Sequence, residues 1–135
     1  MKALVIDASA TLAWCIPDER SGYGIQVARL VVKNSAQVPL LWQTEITNGL
    51  LFAERKSRMS PSEVDFTLLE LAKMPIEIIA VENDAVLALA RQHHLTMYDA
   101  TYLKVALLSR SILATLDKEL KKAAKALGIE LFCSI

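Results

Sequence analysis

The chain has 135 residues, 53% of them apolar, with fifteen Lys plus Arg against fifteen Asp plus Glu. That is one domain's worth of chain with enough apolar content for a core, and four Gly, four Pro and no low-complexity tract exclude disorder, collagen-like repeats and disulfide scaffolds. A net charge of zero argues against a simple basic nucleic-acid clamp and an acidic solvating tail, yet leaves room for an enzyme that handles phosphates through a metal.

Lys2 to Ile6 is a short, branched apolar run that predicts a buried strand ending at Asp7. Asp7 to Ser9 open a helix through Cys15, stopped by Pro17, and residues 22 to 33 predict a second helix on the spacing of Ile25, Ala28 and Val32. A polar loop and a short Val38 to Leu41 segment follow. Trp42 to Arg58 then repeats Ile46, Leu50 and Ala53 at helical spacing. Ser60-Pro61-Ser62-Glu63 predicts a capped helix start, with the helix running to Lys73. After Pro75, Ile76 to Val81 is the next strand. Asn83 or Asp84 caps a helix through His94, and Asp99 starts another through Ser109. Ile112 to Leu116 is a third strand, Asp117 to Leu127 a helix closed by Gly128, and Ile129 to Cys133 a fourth strand. Near-continuous apolar strands alternating with helices predict an α/β domain over 1–135, with a mainly parallel central sheet of four to five strands between helical layers.

The opening apolar run is too short for a signal peptide, and no stretch approaches the roughly 18 residues of a membrane span, so a cytoplasmic location is expected. Cys15 and Cys133 have no metal or redox spacing and read as small hydrophobes.

In parallel sheets, ligands bind where strand ends turn into helices. Asp7 follows the first strand and Asp117 the third, while Asp99 stands at a helix start; helix capping explains each of them alone. Glu45 differs. It sits in the apolar stretch Trp42 to Leu51, and the first cation in that segment is Arg55, so it needs a partner or a metal. Several acids without matching bases repel one another unless a divalent cation neutralises them, and hard cations such as Mg²⁺ or Mn²⁺ take carboxylate oxygens.

Four segments in order, Val5-Ile6-Asp7-Ala8-Ser9, Glu45 with Asn48, Tyr98-Asp99-Ala100-Thr101-Tyr102 and Ala114-Thr115-Leu116-Asp117, resemble the PIN-domain family of metal-dependent nucleases. Chain length and the lack of appended domains look most like its VapC-type toxin ribonucleases. The resemblance implies a three-layer α/β/α fold and a site of Asp7, Glu45, Asp99 and Asp117, with Ser9 and Thr115 as supporting hydroxyls. It further implies one or two Mg²⁺, Mn²⁺ being a possible substitute, held chiefly by Asp7 and Asp99, with Asp117 and Glu45 acting directly or through water. Either Glu45 or Asp117 would orient the water that attacks an RNA phosphodiester. The implied partners are RNA, a small VapB-like antitoxin and a second copy of the chain.

Other features have plainer readings. His93-His94 at a helix C-terminus suit its dipole. Arg55-Lys56-Arg58 and Lys118-Lys121-Lys122-Lys125 form solvated faces, with RNA steering as the functional alternative and Lys118, beside Asp117, best placed for it. Trp14 and Trp42 pack in the core or stack on a base, and Tyr98 and Tyr102 are structural. A receiver-type phospho-acceptor would need paired acids near the first strand, and a haloacid-dehalogenase-type phosphatase an Asp where Ser9 stands. A non-catalytic PIN-like scaffold remains as the alternative, although none of the four acids is lost. Surplus apolar helix faces, at Phe66-Leu69-Leu71 and Val86-Leu87-Leu89, predict a homodimer. Formal charge is −4 over residues 60–98 and +2 on either side of them; all four site acids lie in the two basic thirds.

Overall fold

The structure, a computed structural model, describes residues 3–133, so Lys2 of the expected first strand lies outside the described residues. Leu4, Val5 and Ile6 form β1 (Leu4–Ile6), buried at all three positions as a run of branched apolar residues requires in a sheet covered on both faces. β2 (Ala36–Val38), β3 (Ile76–Ile78) and β4 (Ile112–Ala114) complete a parallel sheet in the order β3-β2-β1-β4.

Among the described residues, seven α-helices connect and flank these strands: α1 (Ala8–Cys15), α2 (Gly22–Asn34), α3 (Leu41–Arg55), α4 (Pro61–Lys73), α5 (Asn83–His93), α6 (Met97–Ser109) and α7 (Lys118–Ala126). The path from β1 through β2 to β3 moves toward one edge, and the path from β3 to β4 returns past β1 to the other. Right-handed crossovers therefore put α1 to α4 on one face and α5 and α6 on the other, which makes three layers. Both α2 and α6 pack against β1.

Local signals in the sequence set most boundaries. Ser60 and Glu63 exchange both hydrogen bonds of a capping box ahead of α4, and Gly128, at φ 73°, follows α7 in the left-handed conformation that a Cβ disfavours. Elsewhere the boundaries shift. The segment expected at Val38 to Leu41 is a strand from Ala36 to Val38, because Pro39 has no N–H for the ladder and Leu40-Leu41 already turn into α3. Neither Asn83 nor Asp84 caps α5; Glu82 holds the extended cap position, and Asp84 lies in the first turn, where its charge meets the helix dipole. Asp99 does not start α6 either: Thr96 is the cap and accepts the Asp99 N–H, so Asp99 is the third residue of the helix.

The strands expected at 76–81 and 112–116 are trimmed to three residues each. Ile129 to Cys133 forms a single bridge, Leu113 to Leu131, rather than a strand, extending the sheet beyond β4 through two backbone hydrogen bonds to Leu113.

α1 and α2 cross closely at Gly24, where a Cβ would lie 2.5 Å from the Ala13 carbonyl carbon and 2.9 Å from the Trp14 nitrogen. Both are backbone atoms and cannot step aside. Gly24→Ala is expected to destabilise the chain by about 3 kcal/mol, the upper range for overpacking, measured as a lowered denaturant midpoint; an unchanged midpoint would show that the helices separate freely.

Candidate active site

In the order β3-β2-β1-β4, the chain leaves β1 toward one edge and comes back to the other side of it at β4. The crevice of such a sheet opens between those two strands at their carboxyl ends. Asp7 follows β1, and Thr115 and Asp117 follow β4, so the crevice is lined by both segments.

Asp7 is 5% exposed, and its carboxylate is held at both oxygens. Oδ1 accepts from the Ala10 N–H at 2.9 Å, which caps α1, and from Ser9 Oγ at 2.7 Å, while Oδ2 accepts from Thr115 Oγ1. Thr115, 1% exposed, in turn accepts the Asp117 N–H at 3.0 Å, and Ser9 Oγ accepts the Leu116 N–H at 2.9 Å. The two hydroxyls expected to support the acids thus bind the β1 and β4 ends to one carboxylate. Burial pushes the Asp7 carboxyl up and the charge of Asp117 adds to it, against the pull of the bonds from Thr115, Ala10 and Ser9.

Asp117 is exposed and caps α7 through Oδ1, which accepts the Leu120 N–H at 2.8 Å, leaving Oδ2 outside the cap. Asp99 reaches the crevice from the first turn of α6. Its carboxyl is pushed up to about 6, first by burial and then by the charges of Asp117, Asp7 and Glu45. Glu45, half-buried on α3, accepts at Oε1 a 2.6 Å hydrogen bond from the Tyr102 hydroxyl. Its carboxyl is also raised, by burial and then by Asp7, against the pull of Tyr102. The structure therefore makes the four acids electrostatic neighbours, and among the described residues no ion pair joins any of them to a Lys, Arg or His.

That donor set suits a hard divalent cation: carboxylates and hydroxyls only, with mutual repulsion that a cation would relieve. Among the described residues no three His, Cys, Asp or Glu side chains already stand in metal-binding geometry.

The remaining candidates separate. Asn48 lies exposed on α3 and makes no hydrogen bond to the four acids among the described residues. Lys118 is the exposed first residue of α7; a cation there opposes the helix dipole, so α7 itself gives no reason for it. Lys122 and Lys125 are exposed and Lys121 partly so, around the buried Leu120, Ala123 and Ala124, as on a solvated face. Arg58 is held by Asp18 and Glu19, and the Lys56 ammonium sits 4.8 Å from the Phe52 ring centroid, which ties down two of the three cations in that cluster. Trp42 is buried, its indole N–H donating to Thr11 Oγ1 at 3.0 Å, so it is a core residue rather than a base-stacking one. His94 closes α5 in the left-handed conformation.

Two tyrosines of the network were missed. Tyr102, read as structural, stands one turn beyond Asp99, and that i,i+3 spacing was the signal available for it. Tyr23, which accepts the Thr115 N–H at 3.1 Å and donates to the Phe132 carbonyl at 3.1 Å, carries none.

Comparison with known proteins points the same way. The PIN domain family model matches residues 4–126. Ribonuclease VapC3 of Pyrobaculum aerophilum is 31% identical over 130 residues, covering 92% of this chain and 96% of that protein. The crystal structure of PAE2754 from Pyrobaculum aerophilum matches with a TM-score of 0.72 at 24% identity, over 90% of this chain and 79% of that one, which shows a shared fold.

Two outcomes test this geometry. Thr115→Val keeps the shape but removes the donor to Asp7, and is expected to cost about 1–3 kcal/mol in denaturant unfolding; a neutral effect would make the bond dispensable. Asp99, at about 6 in the fold against an ordinary 3.8, contributes stability that is full below about pH 4 and lost as the pH rises through about 6. In chelator, Asp99→Asn should therefore melt a few degrees above wild type at neutral pH, with the gap closing below about pH 4. A gap independent of pH would contradict the crowding of charges.

Proposed function

The chain belongs to the PIN domain family, with a VapC-type ribonuclease among its relatives, and from that premise we propose that it is a metal-dependent endoribonuclease, the toxin of a toxin-antitoxin pair. A single observation carries the reading: Asp7, Glu45, Asp99 and Asp117 are electrostatic neighbours about the strand-end crevice with no ion-paired base among the described residues.

Asp7, Asp99 and Asp117 would hold Mg²⁺, or Mn²⁺ in its place, and the cation would supply charge neutralisation at the phosphate and a more acidic water. The chain's own residues do the rest. Thr115, Ser9 and the Ala10 N–H fix the Asp7 carboxylate in one orientation. Glu45 keeps Oε2 for a water while Oε1 is engaged, and its raised proton affinity suits it to take the proton as the water oxygen bonds to phosphorus and the opposite ester P–O bond breaks. Asp117, whose Oδ2 lies outside the helix cap, is the other candidate for that role. Lys118 supplies positive charge beside Asp117 for the RNA backbone.

The same reading makes residues 1–135 one PIN-like nuclease domain acting in the cytoplasm on RNA, neutralised by a VapB-like antitoxin. No helix among the described residues is long and apolar enough to cross a membrane. Phe66 and Leu69, exposed three positions apart on α4, leave an apolar stretch of that helix for a second copy of the chain to cover. Leu71 and Val86, from the two faces singled out in the sequence, are buried instead, so those faces are narrower than their composition implied.

The purified chain is expected to cleave RNA with Mg²⁺ or Mn²⁺, to stop in EDTA, and to lose at least about a hundredfold in Asp7→Asn and in Asp99→Asn. Cleavage that survives both substitutions would overturn the assignment. Light scattering at micromolar concentration should give twice the chain mass; a monomer throughout would remove the dimer.

A further inference from the structure

Glu45 projects from α3 and carries several rotatable bonds, so a half-buried carboxylate there has many orientations unless something holds it. The group that holds it comes from α6. Tyr102 is 2% exposed, its ring locked among core residues, and its hydroxyl reaches Glu45 Oε1 at 2.6 Å, the short distance of a hydroxyl donating to a charged oxygen. The same helix carries Asp99 one turn earlier. Burial and the surrounding carboxylates hold the Tyr102 phenol far above its ordinary range, so it stays a donor.

We propose that Tyr102 is a positioning residue for Glu45: its hydroxyl occupies Oε1 and so presents Oε2 as the single carboxylate oxygen aimed at the substrate water. α6 then serves the site twice, with Asp99 as a charged group in the crevice and Tyr102 as the buried post that orients a residue of α3. Tyr102 touches neither substrate nor cation and acts only through Glu45. This inference rests on the ribonuclease reading, because it gives Oε2 a water to address.

Tyr102→Phe removes the hydroxyl and leaves the ring in its place. In the full-length protein, kcat for RNA cleavage is expected to fall about ten- to a hundredfold with KM unchanged, the cost of a misplaced catalytic group rather than of lost substrate binding. A thermal melt within a few degrees of wild type checks that the variant folds. In a Glu45→Ala background the same substitution should cost nothing further, since the residue it orients is gone. An independent readout is the side-chain carboxyl carbon resonance of Glu45 in uniformly labelled protein, assigned by its disappearance in Glu45→Gln; it should move in Tyr102→Phe.

A wild-type rate in Tyr102→Phe overturns the inference, and so does an equal loss in the Glu45→Ala background, which would give Tyr102 some other target. If the wild-type chain cleaves no RNA, the ribonuclease reading fails, and the Glu45 resonance still decides whether Tyr102 holds that carboxylate: a shift supports the hydrogen bond, an unmoved line overturns it.

Discussion

A carboxylate 5% exposed, with no ion-paired base beside it among the described residues, is the constraint around which this molecule is arranged. An unpaired buried charge is costly unless hydrogen bonds replace its hydration. Asp7 obtains them from three sources: its own helix through Ala10, its neighbour Ser9, and the distant Thr115. The third is decisive, because it can be supplied only if β4 lies beside β1. Folding and site assembly are therefore one event, since the pairing that completes the sheet also completes the coordination of the carboxylate.

A second tier of bonds steadies that arrangement from behind. Thr11 Oγ1 donates to the Asp7 carbonyl at 2.8 Å and accepts from Trp42, which joins the first turn of α1 to α3. Tyr23 braces Thr115 through its backbone and stacks near Phe132, with ring centroids 5.5 Å apart. α3, so anchored, is the helix that carries Glu45. The polar groups that surround the crevice are thus tied to the apolar core, and the repulsion among Asp7, Asp99, Asp117 and Glu45 works against a rigid frame rather than against loops.

Much of this was legible in the residues themselves. Apolar runs marked the strands, Ser60 and Glu63 marked a helix start, and the order of the four acids together with Ser9 and Thr115 marked residues that the fold makes electrostatic or hydrogen-bonded neighbours. What escaped was of two kinds. Boundaries at Thr96 and Glu82 depend on which of several adjacent polar residues takes the cap, a choice settled by backbone conformation and not by composition, and the one at Pro39 on a missing N–H inside an apolar run. The roles of Tyr102 and Tyr23 depend on partners 57 and 92 positions away, and tyrosines spaced among apolar residues look like core until a fold brings a polar atom to the hydroxyl. Arg58 escaped similarly, since its acidic partners lie 40 and 39 positions earlier on a short 3₁₀ turn.

The strand order has a consequence during synthesis. The Asp7 and Thr115 side chains are separated by 108 positions, and an emerging chain can form β1, β2 and β3 with their helices before β4 exists. Until residues 112–117 have left the ribosome, the crevice lacks one wall, Asp7 lacks its donor from Thr115, and Asp117 is absent altogether. Closing so long a loop is also among the slower steps available to a domain of this size. A nascent or truncated chain therefore carries three of the four acids without the site they form. A site built in this way takes shape late, once residues 112–117 are free to pair with β1 and bring Thr115 to Asp7.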